Sequence, residues 1–171
     1  KMYEGKELLP VQLEYKDYTV WQESEAFTKS LESQKQYWQE LFETTPSILK
    51  LQTDFERPSV ISYNGAGLDF NIDEAQTEKL NDLAKSLNTT LFSIVLGVFK
   101  IMLFKLTNQN DLIIGTAVSG RRHADLENIL GVFINILALR NQVAADDSLH
   151  TFLQRVHQTS MKSLENQDYP Y

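Results

Sequence analysis

Cysteine is absent from the 171 residues, which excludes disulfides, thiolate nucleophiles and cysteine-ligated metals. Clustered positive charge is missing as well. Against 16 Lys and Arg stand 23 Asp and Glu, a net charge of −7, where a nucleic-acid binder needs the opposite balance. That balance still leaves room for a small local anion site. The phosphate-cradling motifs do not occur: there is no Walker loop, and Asn64-Gly65-Ala66-Gly67 is not a dinucleotide fingerprint. No G-x-S-x-G elbow occurs either, and Ser119 has no visible base beside it. His150 and His157 stand seven residues apart, roughly 10.5 Å along a helix, which is too far to share one metal ion. No metal site is expected. The most apolar run, Leu91 to Leu106, carries Lys100 and Lys105 and is too short for a bilayer. It reads as a buried helix, and no membrane partner is expected. The opening residues hold no apolar core of signal-peptide length, and a cytoplasmic location is the expectation.

What is present is ordinary for a globular protein: 42% apolar and 23% charged residues. The length suits one domain or one lobe of something larger. The start at Lys1 without Met and the stop at Tyr169-Pro170-Tyr171 are expected to mark a piece of a longer polypeptide. Residues 1–15 read as a connector punctuated by Gly5 and Pro10. From Asp17 the spacing of Tyr18, Trp21, Leu31, Trp38, Leu41 and Phe42 predicts two consecutive helices, ended by Pro46. A short strand is expected in Ile48–Pro58, and a half-buried strand where Leu68, Phe70 and Ile72 alternate with Asp69 and Asn71. Asp73 caps the next helix, whose stripe is Leu80, Leu83, Ala84 and Leu87. Asp111–Gly120 reads as a strand in which Gly115 is a bulge or close-approach point. Asp147 is expected to cap a last amphipathic helix carrying Leu149, Phe152, Leu153, Val156 and Leu164. The class is α/β, a mixed sheet of about four strands with flanking helices.

Two stretches invite a site. Ser119-Gly120-Arg121-Arg122 ends a strand in flexible backbone and two forked cations, which suits a phosphate or carboxylate and equally describes a solvated turn. Gly131–Arg140 reads as a strand apolar on both faces, with Asn135 in its middle. An unpaired buried amide costs roughly 1–3 kcal/mol, so Asn135 should pin a neighbouring loop or line a wet cavity. Both readings stay open on residue chemistry alone.

Five separated stretches, in order, resemble motifs of the condensation domains of nonribosomal peptide synthetases. "YKDYTVW" (Tyr15–Trp21) is similar to their Tyr-x-Asp-Tyr/Phe-Ala-Val-Trp motif, and "GVFINILALR" to Gly-x-Phe-Val-Asn-Thr-x-x-x-Arg. "NQDYPY" (Asn166–Tyr171) is similar to His/Asn-Gln-Asp-Tyr-Pro-Phe, with "LQTDFERPSVISYNGA" and "IIGTAVSGRR" as linking segments. Thr19, Gln52, Ile136 and Tyr171 replace the usual Ala, Pro, Thr and Phe, and none of these removes a charged group. The family's His-His-x-x-x-Asp-Gly motif has no counterpart, and no adjacent His pair occurs.

The resemblance implies a chloramphenicol-acetyltransferase-like fold of two lobes with a channel between them. Residues 16–171 would be a partial C-terminal lobe, and the N-terminal lobe, peptidyl carrier domains and an adjacent adenylation domain its partners. The full domain would form an amide from a carrier-bound acyl thioester and a carrier-bound aminoacyl amine. No cofactor binds the lobe itself in this reading; phosphopantetheine belongs to the carriers. The second His of the absent motif would orient or deprotonate the amine, so the chain carries no catalytic residue and should be inactive alone. Ser119, Gly120, Arg121, Phe133 and Asn135 are expected to line the channel, with Arg121 and Arg122 candidates to contact a loaded arm. Tyr15, Asp17, Trp21, Gly131, Arg140, Gln167, Asp168 and Pro170 are expected to be structural, Arg140 as an ion-pair or hydrogen-bond anchor. Val132-Phe133-Ile134-Asn135 departs from the Trp-Phe-Thr and Asp-Phe-Thr patterns of epimerisation and heterocyclisation domains. The alternatives are an epimerisation or other acyltransferase-superfamily domain, and a non-catalytic carrier-docking lobe. A half-domain also leaves an apolar face uncovered, so self-association is expected.

Overall fold

A computed structural model describes residue 5 and residues 12–170. Most of the expected connector, residues 1–4 and 6–11, lies outside the described residues, as does Tyr171 of the last motif. The elements run α1 (Tyr15–Gln22), α2 (Glu25–Leu41), α3 (Glu74–Ser86), α4 (Leu91–Thr107), β1 (Asp111–Val118), β2 (Asn135–Gln142) and α5 (Leu149–Glu165). One 3-10 turn, Ala124–Leu126, sits between the strands. The chain divides into two compact units. The first holds residues up to Thr44, Gly115–Ala138 and Ser163 onward; the second holds Thr45–Ile114 and Leu139–Lys162.

Local chemistry starts and stops the helices where short polar residues can satisfy free backbone groups. The Ser24 hydroxyl accepts from Phe27 N–H at 3.2 Å and the Asp73 carboxylate from Gln76 N–H at 2.7 Å. α4 begins at Thr90, whose hydroxyl accepts from Ser93 N–H, and ends at Asn108 in the left-handed conformation with φ 55°. The cap of α5 differs from expectation. Ser148, not Asp147, accepts from Thr151 N–H at 3.1 Å, while Asp147 pairs with Arg155. The N-cap is the residue immediately before the helix, here Ser148 before Leu149, and Asp147 sits one residue too early.

In the second unit Leu80, Leu83 and Ala84 of α3, with Leu87 just after it, pack on Ile94 of α4 and Leu153 of α5. Gly97 lets α4 and α5 meet, because a Cβ there would stand 2.4 Å from the Leu153 side chain. Two polar ties add to this. Lys100 Nζ, fully buried, donates to Leu139 O and Asn141 Oδ1, each at 2.6 Å. Arg140 grips Asp111 with two hydrogen bonds, 2.9 Å from Nε and 2.6 Å from an Nη. α4 is buried on one face only: Phe92, Val95, Phe99, Met102 and Leu106 are exposed on the other.

The α/β class stands, with a single two-stranded sheet among the described residues. Asp111 faces Arg140, Gly115 abuts Ile136, and Val143 N–H donates to Asn110 O at 2.8 Å, so the strands run antiparallel. Neither expected extra strand forms. The chain from 45 to 73 carries no regular element, and Leu68 and Phe70 are 91% and 81% exposed. Alternation marks a strand only where a neighbouring ladder takes its backbone groups, and no described segment does so here. β2 starts at Asn135, not Gly131, so the amide lies at the strand's first residue. Gly115 is neither strained nor crowded; an added Cβ would meet Ile136 at an ordinary 3.5 Å.

Candidate functional site

The motif residues of the first unit converge on Phe133 and on Asp168. α1 is set by Asp17, whose carboxylate accepts from Glu14 N–H at 2.8 Å and closes the helix start. This places Tyr15 on the turn before β2. Its hydroxyl donates to Val132 O at 2.8 Å, and its ring fills the space a side chain at Gly131 would need. A Cβ on Gly131 would sit 2.1 Å from the Tyr15 ring. Tyr15 meets Phe133 edge-on with centroids 5.2 Å apart, and Tyr18 packs on the same ring at 4.7 Å. Trp21 extends the aromatic row, 5.8 Å from Tyr18 and 4.5 Å from Phe27. Burial raises the Tyr18 phenol above its ordinary pKa, so it stays a neutral hydrogen-bonding group.

The other side of Phe133 is closed by the Ser119–Arg122 turn. Gly120 has φ +66°, and a Cβ there would lie 1.8 Å from Phe133 O. Only glycine fits. Arg121 lays its guanidinium 4.1 Å above the Phe133 ring and donates to Leu126 O and, at 3.4 Å, to Gly131 O. Arg122 pairs with Asp168 at 2.5 Å. Both forks thus serve the chain's own carbonyls and carboxylate. Ser119 and Arg122 are exposed, and Gly120 and Arg121 are half-buried.

The end of the described chain is held by bonds from several elements. Trp38 Nε1 donates to Asn166 O at 2.9 Å, and Asn135 Nδ2 donates to Gln167 O at 2.7 Å. The Asn135 oxygen accepts from Ile136 N–H at 2.8 Å, so the amide is satisfied while half-buried. Gln167 Nε2 donates to Leu164 O at 2.7 Å, and Pro170 is exposed. Gln34, a residue not singled out from sequence, accepts from the N–H groups of Asp168 and Tyr169 at 3.0 and 3.2 Å. Its only sequence signal was a polar position on a half-solvated helix. Arg140 belongs to the second unit, where hydrogen bonding to Asp111 holds its pKa above the ordinary value.

Beside the aromatic row opens a cleft of about 410 Å³ walled by Leu13, Tyr18, Trp21, Leu126 and Ile129, with Asp17 also in its lining. Among the described residues no three His, Asp or Glu side chains gather as a metal centre. No single helix there is long and apolar enough to cross a membrane.

The condensation-domain family model matches residues 1–171. The chain belongs to the condensation-domain family. It is 41% identical, over all its length, to tyrocidine synthase 3 of Brevibacillus parabrevis, of which it covers 3%. It is 39% identical over 99% of its length to gramicidin S synthase 2 of Brevibacillus brevis, covering 4% of that protein. This condensation-domain chain therefore spans a small fraction of these relatives. A holo four-domain nonribosomal peptide synthetase bound to AMP and glycine superposes with TM-score 0.77 and 34% identity, over 82% of this chain and 11% of that one. The X-domain from teicoplanin biosynthesis shares the fold, with TM-score 0.82 and 21% identity over 99% of this chain and 39% of its own. The α/β fold is thus that of condensation domains.

Proposed function

We propose that the chain acts as part of a condensation domain that joins a carrier-bound acyl or peptidyl thioester to a carrier-bound aminoacyl amine. The observation that carries this reading is the family match across residues 1–171. The meeting of the Tyr15–Trp21, Gly131–Asn135 and Gln167–Asp168 motif residues within one unit supports it. In the reaction the amine lone pair attacks the thioester carbonyl, a C–N bond forms, the C–S bond breaks, and the amine proton passes to the departing thiolate.

Residues 16–171 act in this reading as a partial C-terminal lobe, working in the cytoplasm with an N-terminal lobe, peptidyl carrier domains and an adenylation domain. Phosphopantetheine on the carriers supplies the thioesters. The chain contributes shape. Ser119 offers an exposed side chain at the channel wall beside the close turn at Gly120, Arg121 and Phe133 stiffen that wall, and Asn135 fastens it to Gln167. Because Arg121 and Arg122 are already engaged, the turn offers a formed surface rather than two idle cations to an incoming arm. The catalytic His pair comes from the N-terminal lobe, since the 171 residues hold no adjacent histidines.

The test joins this chain to a condensation N-terminal lobe bearing His-His-x-x-x-Asp-Gly and supplies two loaded carriers. Mass spectrometry should find the amide product on the acceptor carrier with the joined protein and none with the chain alone. Product from the chain alone would overturn the division of labour, and none from the joined protein would overturn the reading.

A further inference from the structure

We propose that Gln34 is the positioning residue of the candidate site, a clasp that presents the Asp168 carboxylate to Arg122 and thereby holds the Ser119–Arg122 turn in place. The inference deepens the channel reading above and rests on it for its functional meaning.

Gln34 is 7% exposed, on the inner face of an otherwise polar stretch of α2. A buried amide needs partners for its oxygen and its nitrogen, and here one short segment supplies both. The Oε1 atom accepts from the backbone N–H groups of Asp168 and Tyr169 at 3.0 and 3.2 Å. The Nε2 atom donates to Asp168 Oδ2 at 3.2 Å. That same oxygen accepts from Arg122 at 2.5 Å. One carboxylate oxygen is thus shared between an amide on α2 and a guanidinium on the turn after β1.

Residue type matters at this position. Leucine would fill the volume and leave two N–H groups and part of a carboxylate without partners. Glutamate would still accept from the two N–H groups, but its second oxygen would face Asp168 Oδ2. Two carboxylates in that contact cannot both be charged cheaply, so one of them would titrate at raised pH. The other groups facing the clasp are Arg122, whose guanidinium pairs with Asp168, and Tyr18, on which Asp168 acts electrostatically. The wild-type amide has no charge to lose, so its own bonds to the segment carry no pH dependence.

The experiment is residue-resolved amide hydrogen exchange on the full chain. Protection factors at Asp168 and Tyr169 are compared with those of α4 amides in wild type, Gln34→Leu, Gln34→Glu and Gln36→Ala. Gln36 bonds only its helical neighbour Glu40, two residues along α2 from the clasp. The expected result is protection at Asp168 and Tyr169 lowered about tenfold or more in Gln34→Leu, with α4 and the Gln36→Ala protein unchanged. In Gln34→Glu, protection at the two amides should be near wild type at about pH 5 and fall by about pH 8, while the wild-type factors stay level. Gln34→Glu is compared with itself across pH, so the test holds even if Gln34→Leu does not fold. Unchanged protection in Gln34→Leu, or a flat profile in Gln34→Glu, would overturn the proposal. Exchange reads the clasp whether or not the joined protein makes amide, so failure here is distinct from failure of the channel reading.

Discussion

Gly120 shows how one backbone position governs the turn that carries Arg121 and Arg122. Its φ of +66° is unfavourable for any side chain, and the Cβ of alanine would stand 1.8 Å from Phe133 O. Gly120→Ala should therefore cost about 2 kcal/mol or more, read from urea denaturation. Gly65 is the contrasting site: its φ is not positive, and an added Cβ would meet nothing within 4 Å. Gly65→Ala should change stability by less than about 0.5 kcal/mol. The same reasoning sorts the two arginines. The chemistry of Arg121-Arg122 is that of an anion site, and their neighbours turn it inward: a ring and two carbonyls take Arg121, and Asp168 takes Arg122.

At the scale of elements, Lys100 ties α4 to β2 through Leu139 O and Asn141 Oδ1. Burial pushes its pKa down to about 7 from the ordinary 10.5, against a smaller opposing pull from Asp111. Below pH 7 the amine is charged in both states and the folded chain bears the cost of burying it. Between pH 7 and 10.5 the unfolded chain binds more protons than the folded one, so stability rises with pH across that window. Urea midpoints should climb from about pH 7 to pH 9, and the Lys100→Met protein should lack that component. A wild-type slope matched by the variant would refute the assignment.

Much of this element layer is legible in the sequence because it is local. Asp73 and the Leu80–Leu87 stripe announce α3, and the apolar run announces α4. What is not legible depends on partners far along the chain. Leu68, Phe70 and Ile72 alternate as a strand does, yet no described neighbour pairs with them. Asn135 declares an amide in need of partners, but the carbonyl it meets, Gln167 O, is 32 residues on. Gln34 reads as a solvated position until the Asp168 and Tyr169 N–H groups are found on it. Arg140 reads as an anchor from its place in the motif, while its partner Asp111 carries no mark in sequence.

At the scale of the whole molecule, the outer face of α4 leaves Phe92, Val95, Phe99, Met102 and Leu106 in water. Their spacing of three and four residues makes one apolar stripe, the kind of patch that drives association. Sedimentation should show the chain's average mass growing with concentration, and Met102→Lys should reduce that growth. A mass independent of concentration would contradict this prediction.

The motifs by which the chain joins its family are, in this account, the ties that build its candidate site. The contact of Tyr15 with Gly131 joins two of them, from opposite ends of more than a hundred residues. A double-mutant cycle on urea denaturation tests that tie most directly. Gly131→Ala should cost about 1–3 kcal/mol with Tyr15 present, because the new methyl group takes the space of the ring, and close to nothing in the Tyr15→Ala background. An equal cost in both backgrounds would contradict the account.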